Sequence, residues 1–287
     1  MPIDRFVWGT DVLFYLGSYL FVMGPLLTFA VLLIQISREK DNNLRKGLSV
    51  VGVSHAAFWL SWFIVAVAIS VLQSFILVIT GKLCQLPLFL NTPFLWLYFV
   101  MFSFSFAMVG LSFFMSTLVP NSQIANNMSY SVILIVIIVQ LIFTLNELVF
   151  SIFYNDRTRT TFMVTFVRSI FYIVPTFTFS VLFGGMTRVC GTHLSTEDLA
   201  WIPGRVCTWS DFYAEATGPV GTGDTFTVPS SCSLLFTLLG VATMYYVLTW
   251  YCDHVISSNR GVSSTYLFFF KKDYWKSVFG IESKKNI

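Results

Sequence analysis

Few residues of this chain have the type and spacing that catalysis requires. Phosphate-binding loops follow the pattern G-x-x-x-x-G-K-[ST], and the nearest segment, 218–225, lacks the lysine that neutralises phosphate. The sequence contains neither a Leu-Ser-Gly-Gly-Gln signature nor a G-x-S-x-G nucleophile motif. His55, His193 and His254 do not form a zinc-ligand spacing such as H-E-x-x-H. We therefore expect no catalytic site, and no metal or cofactor bound by this chain.

Two ionisable residues in apolar runs are candidates for contact with a substrate. Glu147 lies close to the end of one run, and Arg168 lies near the middle of another. Ionisable groups in such runs often mark a substrate pathway, and a guanidinium binds phosphate bidentately. The alternatives are that Glu147 reaches water or headgroups at an interface, and that Arg168 caps a neighbouring carbonyl.

The cysteines are a second set of reactive side chains. By the topology predicted below, Cys84, Cys190, Cys207 and Cys232 lie on the outer side or at its edge, and Cys252 lies on the cytosolic side. An oxidising exterior favours disulfides. We predict a disulfide between Cys190 and Cys207, with Cys207–Cys232 as a comparable pairing, and scattered free thiols are the alternative.

The composition indicates that lipid surrounds most of the chain. Hydrophobic residues make up 56% and charged residues 11% of the sequence, whereas globular chains carry about 25% charge. The 31 Phe, 12 Tyr and 8 Trp leave too few polar residues to cover the apolar surface. No basic block typical of a nucleic-acid arm occurs. We predict a multi-pass integral membrane protein with no nucleic-acid partner.

Five apolar runs are long enough to cross a bilayer, which takes about 20 helical residues. None of them contains Lys, Arg or Asp. We predict a transmembrane domain over 13–251, preceded by an exofacial segment, 1–12. Its spans are predicted over 13–35, 57–80, 93–118, 130–150 and 233–251.

A sixth run, 161–185, is interrupted by Arg168 and Pro175. Arginine at the centre of a span costs about 2.5–3.5 kcal/mol, and proline removes a backbone hydrogen bond. Each half is too short to span, so we predict a re-entrant helical hairpin that enters from the outer side and returns. The following segment, 186–231, is rich in Gly, Thr, Ser and Pro and is predicted to be an irregular exofacial loop.

Basic residues set the orientation of these spans. The loop 36–54 and the tail 252–287 are both basic and are predicted to be cytosolic. Four full spans lie between them, an even number that agrees with this orientation. Arg157, Arg159 and Arg168 fall on the outer side, against the general rule.

The segment Ile36–Phe63 predicts an amphipathic cytosolic helix. Its apolar residues recur at helical spacing at Leu44, Leu48 and Val51. Asp41 is placed to pair with Arg45, and Trp59 and Trp62 begin the next span. One interpretation is a solvated basic loop beside interfacial aromatics. The other is a helix that passes force from a cytosolic motor domain to the spans.

This same segment resembles the A subfamily of ABC transporters, which shows a charged REK-type stretch, a Gly-containing turn and a WLSWF-like start to the next span. The matching residues are Arg38, Glu39, Lys40, Leu44, Gly52, Ser54, Trp59, Ser61, Trp62 and Phe63. The chain departs from the pattern where Val51-Gly52-Val53 replaces Met-Gly-Leu, and where His55 is displaced from its place beside Trp.

The resemblance covers most of the chain. The Phe- and Ser-rich segment 102–119 is similar to a span of the family, and 121–127 is similar to the polar turn that follows it. The segment 268–275 is similar to the linker that precedes the family's nucleotide-binding domain. The order and spacing of these segments make the match more specific than any one of them.

The resemblance implies a type II ABC exporter membrane domain: an all-α polytopic fold with about five spans, one re-entrant hairpin and a cytosolic coupling helix. Residues expected to couple it to a nucleotide-binding domain are Arg38, Glu39, Lys40, Arg45, Lys46 and Gly52. The family's ectodomain and ATPase domain are expected to be missing from this chain. ATP and Mg would then be bound by a partner or a missing domain, and the other expected partners are a second transmembrane half and membrane lipid as substrate.

Two functions follow as expectations. The first is the membrane-spanning subunit or fragment of an ATP-driven transporter that exports or flips lipid, in which 38–52 and the turn 120–127 transmit closure of the motor domains. The second is a degenerate half-transporter that acts as a membrane scaffold. A polytopic lipid-modifying enzyme is a weaker idea, because it requires a His or Asp cluster that the sequence does not show.

Overall fold

Long apolar helices make up most of the structure, a computed structural model that describes residues 12–52, 55–144, 152–191, 193–194, 201–202, 204–220 and 224–256. The helices are α1 (Val12–Asp41), α2 (Leu44–Val50), α3 (His55–Leu83), α4 (Pro87–Asn91), α5 (Phe94–Leu118), α6 (Ser122–Thr144), α7 (Phe162–Tyr172), α8 (Pro175–Cys190) and α9 (Ser231–Val255). The strands are β1 (His193–Leu194), β2 (Trp201–Ile202), β3 (Ala216–Val220) and β4 (Asp224–Val228).

Five of the described helices are long and apolar enough to cross a membrane: α1, α3, α5, α6 and α9. Each overlaps one of the predicted spans, although most helices extend beyond the predicted ends. The prediction of an all-α, multi-pass membrane protein is confirmed.

Helix α5 lies at the centre of the bundle, packed against α1, α3, α8 and α9. Three of its buried serines, Ser103, Ser112 and Ser116, donate to carbonyls of their own helix. Ser103 Oγ donates to Phe99 O at 2.7 Å, and Ser112 Oγ donates to Val109 O at 2.7 Å. These bonds satisfy the hydroxyls inside the apolar bundle.

Helices α1 and α3 meet at a polar contact beside Pro25. Thr28 Oγ1 donates to Gln73 Oε1 at 3.0 Å. A Cβ at Gly24 would lie 2.8 Å from Gln73 Nε2, so a larger residue there would require the amide to shift. The contact holds the two helices in register near the proline that interrupts the hydrogen bonding of α1.

The outward faces of α3 and α6 are apolar. On α3 they include Leu60, Ile64, Leu72 and Ile76, each more than half exposed. On α6 they include Leu134, Ile135, Ile138, Leu141 and Ile142, also more than half exposed. Faces of this kind are stable against lipid or another apolar helix, but not against water.

The prediction of a polar turn over 121–127 is wrong. Helix α6 begins at Ser122, eight residues before the predicted span. Asn121 Oδ1 accepts a hydrogen bond from Ile124 N at 2.9 Å, which is the pattern of a helix N-cap. The polar residues that follow belong to the first turns of α6, and the connection from α5 is shorter than predicted.

The sixth apolar run forms two helices, α7 and α8, with a 106° bend at their junction. Pro175 occupies the first position of α8, which continues to Cys190 rather than to the predicted end at 185. The pair is therefore L-shaped, with α7 lying across the direction of α8, and not two antiparallel arms. Tyr245 Oη of α9 donates to Ile173 O at this corner, at 2.8 Å. Entry of the pair into a bilayer stays a prediction.

The segment 186–231 was predicted to be an irregular loop, and this is wrong for part of it. Strands β3 and β4 form an antiparallel hairpin with Ala216 opposite Val228. Asn155 forms a bridge to Phe226 on the other side of β4. A short 3-10 helix, Trp209–Phe212, precedes the hairpin. Thr225 and Thr227 alternate with the buried Phe226 and Val228 along β4, a strand pattern that the surrounding glycines and prolines concealed.

Candidate functional site

The last turn of α1 meets the ends of α3, α6 and α9 and the α5–α6 connection at one end of the bundle. We call this meeting point the α1 junction and define it by Glu39, Lys40 and Asp41 with their contacts. Three consecutive charged residues at a helix end point in different directions around the axis, so one turn reaches several neighbours.

Lys40 and Asp41 bind the connection between α5 and α6. Lys40 Nζ donates to Val119 O at 2.6 Å, and the Asp41 carboxylate accepts a hydrogen bond from Ser122 N. The cation thus satisfies a carbonyl just past the end of α5, while the anion lies at the amino end of α6, where the helix dipole favours negative charge. A displacement of the end of α1 would displace both helices.

Two indoles join α3 to the same junction. Trp62 Nε1 donates to Glu39 Oε2 at 2.9 Å, and Trp59 Nε1 donates to Asp253 Oδ2 at 3.0 Å. Asp253 lies near the end of α9 and is 4% exposed. The ring of Trp59 also packs on Phe113 of α5, with 5.6 Å between the ring centroids. The junction therefore links α1, α3, α5 and α9 by directional contacts.

The space inside the junction is small. A cavity of about 20 Å³ lies between Ile36, Lys40, Trp59, Ser116 and Asp253, among others. A volume of this size holds roughly one water molecule and no organic ligand. The geometry is that of a mechanical contact and not of a small-molecule site.

The predicted amphipathic helix over 38–52 is interrupted, which corrects that prediction. Helix α1 continues through Arg38, Glu39 and Lys40 to Asp41, and Asn43, with φ of 51°, turns the chain before α2 begins. Arg45 and Lys46 lie on α2, and their side chains lie outside the described residues. Gly52, with φ of +92°, follows α2 in the left-handed region that favours glycine.

Helix α2 exposes apolar side chains on the surface. Leu44 and Leu48 are 51% and 42% exposed, and Val51, just after the helix, is 82% exposed. The Asp41 carboxylate accepts a hydrogen bond from Ser122 N, and its predicted pairing with Arg45 lies outside the described side chains. Leu44 and Leu48 lie on α2 and Val51 follows its end, so an amphipathic helix along the membrane stays a prediction.

At the other end of the bundle, Arg168 of α7 caps a carbonyl. Its Nη1 donates to Phe153 O at 3.0 Å, and its guanidinium lies over the ring of Tyr154, 5.4 Å from the centroid. Tyr154 is fully buried, and 2.7 Å separates its hydroxyl from that of Tyr172. Of the two roles considered for Arg168, carbonyl capping is present in the structure, and contact with a substrate stays a prediction. Glu147 lies outside the described residues.

A disulfide joins Cys190 at the end of α8 to Cys207. Asn91 of α4 holds both cysteines. Its side-chain Nδ2 donates to Cys190 O at 2.9 Å, and its backbone carbonyl accepts a hydrogen bond from Cys207 N at 2.9 Å. Cys84, Cys232 and Cys252 are thiols, so the alternative pairing through Cys232 is absent from the structure. The disulfide attaches the segment before the β3–β4 hairpin to the helix bundle.

Two buried polar residues that join helices were missed by the sequence analysis. Asp253 lies just beyond the predicted end of the last span, and its buried carboxylate would have been recognised had the helix been extended by one turn. Gln140 of α6 is fully buried and donates from Nε2 to Ser180 Oγ of α8 at 2.9 Å. An amide inside an apolar run is the signal that could have identified it. Over the described part of the chain, no group of His, Cys, Asp and Glu could hold a metal ion.

Comparison with known proteins gives one family for nearly the whole chain. The family described as "ABC-2 family transporter protein" matches residues 9–250. ABC transporter A family member 1 of Dictyostelium discoideum is 28% identical over 94% of this chain and 29% of its own length. ABC transporter A family member 9 of Arabidopsis thaliana is 26% identical over 91% of this chain and 25% of its own length. The human "Glucosylceramide transporter ABCA12" is 24% identical over 86% of this chain and 8% of its own length. The chain thus spans less than a third of the length of these relatives.

Proposed function

The chain belongs to the ABC-2 family of transporter proteins, and from that premise we propose that it moves lipid across a membrane when a nucleotide-binding domain closes against the α1 junction. As a membrane domain of this family it is an integral, multi-pass membrane protein, and its predicted resemblance to the A subfamily is confirmed by relatives that cover most of the chain. The substrate, the source of ATP hydrolysis and the second transmembrane half are parts of the proposal.

The α1 junction is the observation that carries the proposal. A motor domain must move several spans together, and here one turn of α1 is hydrogen-bonded to the α5–α6 connection and to α3. Trp59 extends the same set of contacts to Asp253 of α9. The exposed apolar residues of α2 lie next to this turn and supply a surface for a cytosolic partner.

Lipid is proposed as the substrate for two reasons. The outward faces of α3 and α6 are apolar, so a hydrophobic molecule could travel along them from within the bilayer. The name of one relative, a glucosylceramide transporter, refers to a lipid. Both reasons support lipid as the class of substrate.

The proposal is tested by reconstitution. The chain is purified with any ATPase-bearing chain that accompanies it, placed in liposomes with a fluorescent phospholipid, and supplied with ATP and Mg. We expect ATP-dependent movement of the lipid between leaflets. Lys40→Met removes the ammonium that binds Val119 O, so ATP hydrolysis should continue while lipid movement falls about tenfold. If no ATPase co-purifies and no lipid moves, the chain is a scaffold and the proposal fails.

A further inference from the structure

Helix α7 carries an apolar stripe that no part of the described chain covers. Phe162, Met163, Phe166 and Ile170 are 78%, 69%, 55% and 50% exposed, and no residue of α7 is buried. At 100° per residue these four side chains fall within one third of the helix circumference. A helix that lies across its neighbour with such a stripe on the surface is typical of one that rests in the interfacial region of a bilayer.

Two polar residues of α7 that lie away from the stripe face a cavity of about 400 Å³. Thr165 and Arg168 contribute from α7, and Arg159 contributes from the turn before it. Glu215 and Thr227 contribute from the β3–β4 hairpin region. We call this space the outer cavity. Its volume lies within the range of about 300–1,000 Å³ that is usual for small-molecule sites.

The two arginines of the outer cavity differ in how far they are neutralised. Arg159 Nε lies 3.3 Å from Asp156 Oδ1, and Asp156 also accepts from Thr225 Oγ1 at 2.6 Å. Hydrogen bonds from Thr225 and Thr227, with the charge of Arg159, hold the pKa of Asp156 below its usual value, so this carboxylate stays ionised. Arg168 contacts only a carbonyl and an aromatic ring among the described residues, so its charge is not paired there.

The charges therefore have opposite signs on the two sides of the cavity. The α7 side has an excess of positive charge from Arg168, while the hairpin side has the exposed carboxylate of Glu215. An arginine fork matches phosphate oxygens in geometry, and a carboxylate attracts an ammonium group. A ligand with a phosphate and an amine fits this arrangement, and the stripe beside it fits hydrocarbon chains.

We propose that the outer cavity binds the headgroup of an amine-bearing phospholipid, with its phosphate on Arg159 and Arg168, its ammonium on Glu215 and its acyl chains along the stripe of α7. The inference rests on the proposed function for the placement of this end of the bundle at a membrane surface. Binding itself requires neither ATP nor a motor domain. The site therefore extends the proposed function from lipid in general to one headgroup chemistry at one place.

The test measures binding of a short-chain phosphatidylethanolamine to the purified full chain in detergent micelles, counted by native mass spectrometry without ATP. We expect Arg159→Gln to weaken binding about tenfold, since one charge-assisted hydrogen bond is lost. Arg205→Gln is the matched control, because Arg205 is paired with Asp211 at 2.7 Å as Arg159 is paired with Asp156, but does not line the cavity. Binding that is equal in wild type and Arg159→Gln, or weakened equally by Arg205→Gln, overturns the proposal.

A second variant tests the role of the amine. Glu215→Gln should weaken the binding of phosphatidylethanolamine about tenfold. The binding of phosphatidylglycerol, which has no amine, should be unchanged or tighter. Inorganic phosphate should compete poorly because it has no chains to lie along α7, and diacylglycerol should not bind because it has no phosphate. Competition by inorganic phosphate at the same concentration as the phospholipid would identify a free-anion site and contradict the proposal. Failure of lipid transport in liposomes would leave these binding results unaffected, so the two proposals can fail separately.

Discussion

The α1 junction and the outer cavity are built in opposite ways. At the α1 junction, charged and indole side chains are hydrogen-bonded between helices around a space of about 20 Å³. At the outer cavity, a helix without a buried residue lies beside about 400 Å³ lined by arginines and a glutamate. The first arrangement transmits displacement, because its parts cannot move independently. The second admits a ligand, because its walls leave room for one.

The stability of the segment beside the outer cavity should depend on a disulfide, whereas the α1 junction is held by hydrogen bonds and packing. Replacing both Cys190 and Cys207 with serine opens a disulfide that spans 17 residues, which should cost about 3 kcal/mol of unfolding free energy. Thermal unfolding in detergent should shift to lower temperature, while the Cys84→Ser control, at an exposed thiol, should not shift it. An unchanged unfolding temperature would show that Asn91 alone holds this segment in place.

Loss of the buried Asp253 carboxylate at the α1 junction should have the next largest effect on the free energy of unfolding. Asp253→Ala leaves the indole N–H of Trp59 without its acceptor, which should cost about 2 kcal/mol of unfolding free energy. Asp253→Asn keeps an oxygen for this bond and should cost less. Combined with Trp59→Phe in a double-mutant cycle, Asp253→Ala should show a coupling of about 1 kcal/mol. Strict additivity would mean that the junction does not act as a connected unit.

Gly52 tests whether the turn after α2 sets the surface offered to a motor domain. Gly52→Ala places a side chain at φ of +92° and should cost about 1 kcal/mol. Gly47→Ala is the matched control, since a Cβ there meets nothing within 4 Å and alanine favours a helix by up to about 1 kcal/mol. Amide hydrogen exchange of 44–50 should accelerate in the first variant and slow in the second. Equal exchange in both would contradict the role of the turn.

Acid should destabilise the β3–β4 hairpin beside the outer cavity, and this is the smallest of the expected effects. Hydrogen bonds from Thr225 and Thr227 lower the pKa of Asp156, and those from Thr208 lower the pKa of Asp211. A lowered pKa in the folded state stabilises the fold above the ordinary aspartate pKa of 3.8, and this stabilisation is lost as the pH falls below it. The protection of the β3–β4 hairpin amides, measured as their exchange rate relative to the intrinsic rate at the same pH, should fall below about pH 4. Asp156→Asn should remove most of this dependence, whereas Asp253→Asn should not.

The sequence predicts the parts of the fold that depend on hydrocarbon length. The five long helices overlap the five apolar runs because hydrophobicity over about 20 residues is a local property. The start of α6 was missed because Asn121 caps a helix whose first turns are polar, and hydropathy alone does not detect a cap. The β3–β4 hairpin was missed because turn residues on both sides concealed a short strand pattern.

The candidate sites depend on contacts between distant residues, so the sequence predicts them less well. Glu39 and Lys40 were named from a resemblance, but their contacts with Trp62 and Val119 join residues far apart in the chain. The interruption of the predicted amphipathic helix at Asn43 follows from a backbone conformation that helical spacing does not reveal. The outer cavity requires α7 and the hairpin to be placed side by side, which only the folded chain does.

The most direct measurement asks whether the α1 junction and the outer cavity face opposite sides of a membrane. Leu48→Cys on α2 and Tyr213→Cys beside the hairpin are each introduced with Cys84 and Cys252 replaced by serine, and intact cells are treated with a membrane-impermeant maleimide. Both positions are exposed, at 42% and 68%. The account predicts labelling of Tyr213→Cys in intact cells and of Leu48→Cys only after permeabilisation. Labelling of both positions, or of neither, before permeabilisation would contradict it.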